Sequence, residues 1–222
     1  MSWYRMSNDV RVRQGRTMDH PGTILIVSSP SGGGKTSICR RLLSRTRRSQ
    51  GWTFSVSYTT RKPRVGERNG REYYFVSDDE FKRKIKGDYF AEHFKVHRFQ
   101  YGTPRGPLEQ VIKNGGVMLL DVDVNGAFAL KREYPQAITV FILPPSVREL
   151  RHRLRQRGTE TKQDLAVRFE NAKKEMQLFH RFDYVVINKE LDTAVSEVLA
   201  IVSADPCRVD RADLEQIRAF TV

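Results

Sequence analysis

The sequence is poor in cysteine and has no long apolar runs. Its two cysteines, Cys39 and Cys207, cannot form a disulfide framework, so a reducing cytoplasm is the expected location. The longest apolar stretches, such as Thr23–Val27 and Val117–Leu120, fall well short of the roughly 20 residues that a membrane-spanning helix needs. The segment Met1–His20 has no apolar centre either, so no signal peptide is predicted.

Acidic residues are few relative to basic ones. The 222 residues include 26 Asp and Glu against 39 Lys and Arg, which gives a net charge of +13. This excess predicts anionic partners, and on charge alone nucleic acid is one candidate. Near the start lie four arginines, Arg5, Arg11, Arg13 and Arg16. They could form a weak basic arm, although a solvated face is the simpler interpretation. With 39% hydrophobic residues, the chain is expected to be globular.

Strand-like and helical runs alternate, which predicts a mainly parallel α/β sheet. The first strand is predicted at Thr23–Ser29 and the first helix at Lys35–Thr46. Three short strands have no crossover helices between them and are predicted to form a separate antiparallel lobe: Phe54–Thr60, Glu72–Val76 and Tyr89–Phe94. The other predicted elements are a helix capped by Ser77 and Glu80 and running to Lys86, a helix at Thr103–Lys113, strands at Val117–Asp123 and Ala137–Leu143, a helix from Ser146 to Arg157, a helix from about Asp164 to His180, a strand at Tyr184–Asn188 and a helix at Leu191–Val202.

The two ends of the chain have no clear periodicity. Met1–Pro21 and Asp205–Val222 are predicted to be poorly packed extensions. Met6 and Met18 are candidate translational starts, and we expect Met1–His20 to be dispensable.

A glycine-rich segment directly follows the first predicted strand and begins a helix, which is the context of a Walker A phosphate loop. The segment forms the predicted ATP-binding set: Ser29, Pro30, Ser31, Gly32, Gly33, Gly34, Lys35 and Thr36. Its glycines let backbone N–H groups face inward, where the helix N-terminus adds positive potential. Lys35 is predicted to span the β- and γ-phosphates and to point at solvent when ATP is absent, and Thr36 to offer its hydroxyl to Mg²⁺. Ser29 replaces the usual first glycine, and the intact remainder still favours a working loop.

A second motif lies at Val117–Asp123, where an apolar strand ends in carboxylates. Strands of parallel sheets present such groups at their carboxyl ends, where ligands bind. Asp121 is therefore predicted to organise Mg²⁺ through water. No protein-held metal is expected, because Mg²⁺ should arrive with ATP and the pair His93 and His97 falls on strand and loop.

The segment between these motifs narrows the class further. Phe54–Glu67, with the sequence FSVSYTTRKPRVGE, closely resembles the guanylate kinase signature. Other segments match the same family in order and spacing: Arg71–Val76, Tyr101–Thr103, Pro144–Ser146 and Arg157–Thr161. The stretch His97–Gln100 departs from the family pattern, in which a Gly-Asn-aromatic stretch is commoner, and leaves the local loop geometry open.

The resemblance implies a P-loop nucleoside-monophosphate-kinase fold, in which helices flank a parallel sheet core beside a small mixed GMP-binding lobe and a helical lid. The implied divisions are 22–52, 105–143 and 166–204 for the core, 53–104 for the lobe, 144–165 for the lid, and 1–21 and 205–222 for terminal extensions. The implied activity is Mg²⁺-assisted phosphoryl transfer from ATP to GMP or dGMP, serving purine nucleotide metabolism. Implied partners are these nucleotides, without nucleic acid or membrane, for a monomer or homodimer.

The resemblance also implies roles for single residues. The GMP phosphate would be held by Arg61, Arg64 and Tyr73 with help from Tyr101, and guanine would contact Ser57, Glu92 and Thr103 with Asp123 close by. Asn188 matches a position beside adenine, and three arginines match those that reach the ATP phosphates as the lid closes: Arg153, Arg157 and Arg168. The implied catalytic set is Lys35, Arg61, Arg153, Arg157, Arg168 and Asp121.

Physical chemistry supports parts of this assignment and leaves alternatives. Arginine binds phosphate at two points and stays charged, so the spacing of Arg61 and Arg64 suits a two-pronged clamp, although both are surface residues in the simplest reading. Tyr73 and Tyr101 could be core aromatics, and Glu92 a surface strand residue. Two other functions stay open: an inactive module of this family that binds phosphopeptides, and a P-loop ATPase that acts on nucleic acid.

Overall fold

The computed structural model describes residues 22–46, 51–96, 98–156 and 162–211. Several predictions fall outside these ranges: those for residues 1–21, for His97, for the family-matching segment Arg157–Thr161 and for the last part of the C-terminal extension, 212–222. The elements below are numbered in chain order.

The strands are β1 (Thr23–Ser28), β2 (Trp52–Phe54), β3 (Tyr58–Thr59), β4 (Tyr74–Phe75), β5 (Phe90–Val96), β6 (Phe99–Pro104), β7 (Val117–Asp121), β8 (Ile138–Leu143) and β9 (Tyr184–Ile187). The helices are α1 (Lys35–Arg45), α2 (Asp78–Lys86), α3 (Arg105–Lys113), α4 (Val124–Glu133), α5 (Val147–Gln156), α6 (Lys162–Met176) and α7 (Leu191–Ala204). Short 3₁₀ turns lie at Gln177–Arg181, Asp205–Cys207 and Val209–Arg211.

The core is a parallel sheet with the strand order β2-β7-β1-β8-β9. Its central strand β1 is buried throughout and is apolar on both faces, as strands covered by helices on each side must be. Leu25 and Val27 face a cluster that includes α1 and α7, whereas Ile24 and Ile26 face α3 and α4. Each such buried side chain contributes about 2 kcal/mol. The sheet and its helices confirm the predicted α/β fold.

The second sheet has the order β4-β3-β6-β5 and is mixed, because β3 and β4 pair in parallel while the other pairs are antiparallel. The antiparallel lobe predicted from the strand pattern was therefore wrong in this pair, whereas the small mixed lobe implied by the family resemblance is confirmed. The predicted strand Phe54–Thr60 is in fact two strands in different sheets. Phe54 pairs with Leu119 in the core, whereas Tyr58–Thr59 belongs to the lobe. The predicted lobe, 53–104, therefore includes Thr53 and Phe54, which pair with β7 in the core sheet.

Two elements were missed for identifiable reasons. Strand β6 includes Thr103 and Pro104. A helix was predicted to begin there because proline is common at helix starts. Helix α4 follows Asp123, whose carboxylate caps it by accepting from the Gly126 N–H at 2.8 Å. Gly126 weakened the helical signal, yet it is required there, because an added Cβ would lie 2.8 Å from Phe94 Cε1.

Predicted helix starts agree with the side-chain caps. Ser77 Oγ accepts from the Glu80 N–H at 3.2 Å, and Ser146 Oγ accepts from the Glu149 N–H at 3.1 Å. These bonds confirm the predicted starts of α2 and α5. Helix α6 begins at Lys162 and becomes a 3₁₀ turn after Met176, so it starts earlier and ends earlier than predicted. Among the described helices, none is both long and apolar enough to span a membrane.

The start of the C-terminal extension is anchored, contrary to the prediction that it packs poorly. Asp205 is only 2% exposed. Its Oδ2 accepts from Thr23 Oγ1 at 2.7 Å and lies 3.1 Å from Arg211 Nε. A buried carboxylate needs such partners, and they fix the chain after α7 to the start of β1.

We predict that Asp205→Ala lowers the free energy of unfolding by about 3 kcal/mol, because it removes the carboxylate that both Thr23 and Arg211 contact. Urea denaturation measures this loss. Asp210→Ala is the matched control, since Asp210 pairs with Arg208 at the surface, where solvent screens the pair, and its loss should have little effect. Equal effects of the two substitutions would contradict the anchoring role.

Candidate active site

A cleft of about 1010 Å³ lies between the carboxyl edge of the core sheet and the second sheet. Parallel strands deliver ligand-binding groups to this edge. The cleft brings together most of the predicted site residues from three parts of the chain: Lys35 and Thr36, then Ser57, Arg61, Arg64, Tyr73, Glu92 and Tyr101, and then Asp121 and Asp123. Arg40, Leu43 and Val65 also line it and were not singled out from the sequence.

The glycine-rich loop after β1 curves as the sequence predicts. Gly32 and Gly34 have φ angles of 86° and 95°, in the left-handed region that glycine adopts without strain. A side chain at Gly34 would also collide with the amide of Asn188. Ser29 is accommodated in place of the usual glycine, and its hydroxyl donates to the Pro30 carbonyl at 3.0 Å.

Lys35 was predicted to point at solvent, and this prediction was wrong. Its Nζ lies 2.7 Å from Asp121 Oδ1 and also donates to the Val122 carbonyl. Burial acts to lower the pKa of Lys35, but the Asp121 carboxylate outweighs it and raises the pKa above its ordinary value. The Thr36 hydroxyl lies 3.4 Å from the other Asp121 oxygen. The two predicted phosphate motifs are therefore in direct contact.

Residues behind the loop bind its outward-facing groups. Asn188 Nδ2 donates to the Gly33 carbonyl at 3.1 Å, and the Arg153 guanidinium reaches the same carbonyl at 3.4 Å. Arg153 also donates to the Asn188 carbonyl at 3.2 Å and to Glu149 Oε1 at 2.8 Å. Arg153 and Asn188, both implied as site residues by the family resemblance, thus meet at one loop residue.

Helix α6 contacts the loop at Ser31. Arg168 donates to Ser31 Oγ at 2.9 Å, and Glu175 Oε2 accepts from the Ser31 N–H at 3.2 Å. Burial raises the pKa of Glu175 more than this N–H lowers it. Glu175 was missed, although its spacing of seven residues from Arg168 places both on one helix face and was a usable signal.

Arg61 is a buried residue, only 9% exposed, which removes the interpretation that it is a surface charge. Its guanidinium donates to Glu67 Oε1 at 2.9 Å and lies 5.5 Å from the centre of the Tyr73 ring. Tyr73 in turn contacts Tyr101 edge to face, with ring centres 5.8 Å apart. The side chain of Arg64 is exposed, while its backbone N–H donates to Glu67 Oε2 at 2.7 Å.

Glu67 was not singled out from the sequence, yet one carboxylate holds both the Arg61 side chain and the turn that carries Arg64. Burial acts to raise the pKa of Glu67, but the hydrogen bonds and positive charges of Arg61 and Arg64 together outweigh it, so the pKa is lowered. Glu67 therefore stays ionised. It orients the Arg61 side chain and holds the backbone of the turn at Arg64.

Glu92 is 7% exposed, so it is not the surface strand residue of the alternative interpretation. Its Oε1 accepts from Thr103 Oγ1 at 2.6 Å, and the Ser57 hydroxyl lies 3.5 Å from Thr103 Oγ1. Within the described part of the chain, Glu92 Oε2 has no hydrogen-bond partner. Burial, with a smaller contribution from Asp123, raises the pKa of Glu92 to about 7. The cleft therefore holds a buried acceptor beside two hydroxyl groups.

A phosphate loop in contact with a strand-end carboxylate, facing a lobe with buried arginine and glutamate, is the architecture of a nucleoside monophosphate kinase. Comparison with known proteins gives the family. Residues 21–205 match the family model of guanylate kinase. The chain is 41% identical over 190 residues to the guanylate kinase of Caldanaerobacter subterraneus, covering 86% of this chain and 91% of that one, and 43% identical over 190 residues to that of Clostridium tetani, covering 86% and 89%.

A solved structure agrees with these sequences. The crystal structure of guanylate kinase from Anaplasma phagocytophilum matches with a TM-score of 0.74 at 30% identity, covering 90% of this chain and 95% of that chain. The chain therefore belongs to the guanylate kinase family, whose members are phosphotransferases. The family resemblance in the sequence is confirmed.

We predict that Glu92→Gln stabilises the nucleotide-free protein at pH 8 but not at pH 5. A carboxyl group whose pKa is raised from 4.5 to about 7 makes folding less favourable as pH rises through that interval, by up to about 3 kcal/mol. Melting temperatures of both proteins across this range measure the difference, in which all other titrating groups cancel. A constant difference from pH 5 to pH 8 would mean that Glu92 is not a destabilised buried acid.

Proposed function

We propose that this protein transfers the γ-phosphoryl group of ATP to GMP or dGMP, giving ADP and GDP or dGDP. The observation that carries the proposal is the pairing, in one cleft, of a phosphate loop at one end with a buried, half-satisfied Glu92 at the other. Its guanylate kinase relatives support the same reaction.

ATP would bind at the loop. The first amides of α1 have no intrahelical acceptor and attract anions, and Lys35 would leave Asp121 to contact the β- and γ-phosphates. Arg153, Arg157 and Arg168 would add positive charge, and Asn188 would lie beside adenine. Lys35 and these arginines would turn towards the phosphates as the nucleotides bind, and their charges would then stabilise the transferring phosphoryl group.

Mg²⁺ fits the donor set at this end. The Thr36 hydroxyl and the Asp121 carboxylate are oxygen ligands that lie near each other, and among the described residues no cluster of three or more His, Cys, Asp or Glu could hold a metal alone. Thr36 would bind Mg²⁺ directly and Asp121 through water, while the nucleotide supplies further oxygens. Bound Mg²⁺ neutralises charge on the phosphates.

The GMP phosphate would bind in the lobe, to Arg61, Arg64, Tyr73 and Tyr101. Arg61 supports this role because its orientation is already set by Glu67. A pre-oriented guanidinium loses little conformational freedom on binding phosphate at two points.

Guanine would be read by Glu92, Ser57 and Thr103, with Asp123 nearby. Guanine presents N1–H and a 2-amino group side by side, and a carboxylate accepts from both, while hydroxyl groups can turn to serve O6. Adenine has an unprotonated N1 and no 2-amino group, so the buried carboxylate would stay unsatisfied. Glu92 Oε2 has no hydrogen-bond partner among the described residues, which supports a role as the acceptor for guanine.

The chain's residues would act by positioning and by neutralising charge, with direct transfer between the two nucleotides. The lobe at 53–104 and the lid at 144–165 would close over the core at 22–52, 105–143 and 166–204 and exclude water. A role in purine nucleotide metabolism, a cytoplasmic location, and a monomeric or homodimeric state remain predictions.

The acceptor specificity is the direct test. With ATP and Mg²⁺, the protein should form ADP rapidly with GMP and dGMP and hardly at all with AMP, since sites built on such pairing discriminate by roughly 10⁴. Glu92→Gln should raise the KM for GMP far more than that for ATP. Turnover stimulated by DNA or RNA instead of GMP would support the nucleic-acid ATPase, and no turnover with any acceptor would support the inactive module.

A second test concerns Lys35. Lys35→Met keeps the aliphatic stem, removes the charge and should lower kcat at least about a hundredfold, as expected for one electrostatic donor to the reacting group. The structure adds that the substitution removes the partner of Asp121, so folding must be monitored by melting temperature. Near-normal kcat in a folded variant would contradict the assigned role.

A further inference from the structure

Helix α6 contacts the phosphate loop at Ser31, a member of the predicted ATP-binding set that falls on a position where the Walker A pattern specifies no residue type. Ser31 is held twice: its backbone N–H donates to Glu175 Oε2 at 3.2 Å, and its Oγ accepts from Arg168 at 2.9 Å. The two α6 residues are two helical turns apart and share one face. A negative and a positive side chain therefore bracket a single loop residue.

The same helix is tied to the lid. Phe169 of α6 packs against Leu150 and Leu154 of α5, and α5 carries Arg153, which reaches the Gly33 carbonyl. The two helices thus pack against each other and contact the loop at neighbouring positions.

We propose that Glu175 is a positioning residue for ATP binding, which holds the Ser31 N–H outward so that the amides at the start of α1 keep the curvature that receives the phosphates. The inference rests on the proposed function, because it assigns ATP to this loop. A carboxylate is a strong acceptor for a backbone N–H, and Glu175 is half-buried at the contact. Fixing one early residue of a glycine-rich loop limits the conformations that the rest can take.

Charge alone argues in the opposite direction, which makes the proposal testable. A carboxylate close to a polyanion repels it, so Glu175 would weaken ATP binding if its contact with Ser31 did nothing. Removing the acceptor and removing the charge must therefore be separated. Glu175→Met keeps the side-chain length without an acceptor oxygen, whereas Glu175→Gln keeps one acceptor oxygen and removes the charge.

The experiment measures KM for ATP and GMP, kcat, and the Kd of a non-hydrolysable ATP analogue by calorimetry. Glu175→Met should raise the ATP KM and the analogue Kd about tenfold, the effect of losing a hydrogen bond to a charged group, and change the GMP KM less than about twofold. Glu175→Gln should recover most of the affinity. Glu170→Met is the control on the same helix, because Glu170 is exposed and pairs with Lys173.

Unchanged or tighter analogue binding by a folded Glu175→Met variant would overturn the proposal, as would an equal rise in both KM values. Tighter binding by both Glu175 variants would indicate simple repulsion and also overturn it. If the Met variant does not fold, Glu175→Ala takes its place in the same comparison. The analogue Kd does not depend on GMP, so a wild-type protein inactive towards GMP would defeat the proposed function while the Glu175 contact is still measured.

Discussion

The structure depends on one constraint: a loop that curls its amides around an anion must turn its carbonyls outward, and those carbonyls need donors. The Gly33 carbonyl finds them in Asn188 and Arg153, from the end of β9 and from α5. The edge strand β9, helix α5 and the loop are therefore arranged around one backbone oxygen. Gly34, one of the left-handed glycines that allow the curl, also leaves room for the Asn188 side chain.

The opposite end of the cleft shows a different compromise. Glu92 is buried with one oxygen satisfied by Thr103 and the other without a hydrogen-bond partner among the described residues. A folded protein tolerates few such groups, and each calls for an explanation, of which a missing ligand is one. Arg61 in the same lobe differs, because its guanidinium is already paired with Glu67. The lobe thus combines an arginine that has an ion-pair partner with a glutamate that has one carboxylate oxygen without a hydrogen-bond partner among the described residues.

Much of this could be predicted from the sequence, because local signals agreed with the global fold. The phosphate loop needs glycines at fixed places, and the caps at Ser77 and Ser146 act within one helical turn. What could not be predicted depended on distant contacts. Nothing local shows that the chain changes sheets after Phe54, or that Gly126 is required by the ring of Phe94. Lys35 was misplaced for the same reason, since its partner Asp121 comes from another strand.

The anchoring of Asp205 has a consequence for the chain as a whole. Thr23 and Asp205 are 182 positions apart in sequence, and Arg211 also donates to the Gly22 carbonyl at 3.3 Å. The contact therefore joins the two ends of the described fold. It lies at the amino edge of the sheet, away from the cleft. Ends that meet in this way favour circular permutation, and they allow another domain to be fused at either side without facing the nucleotides.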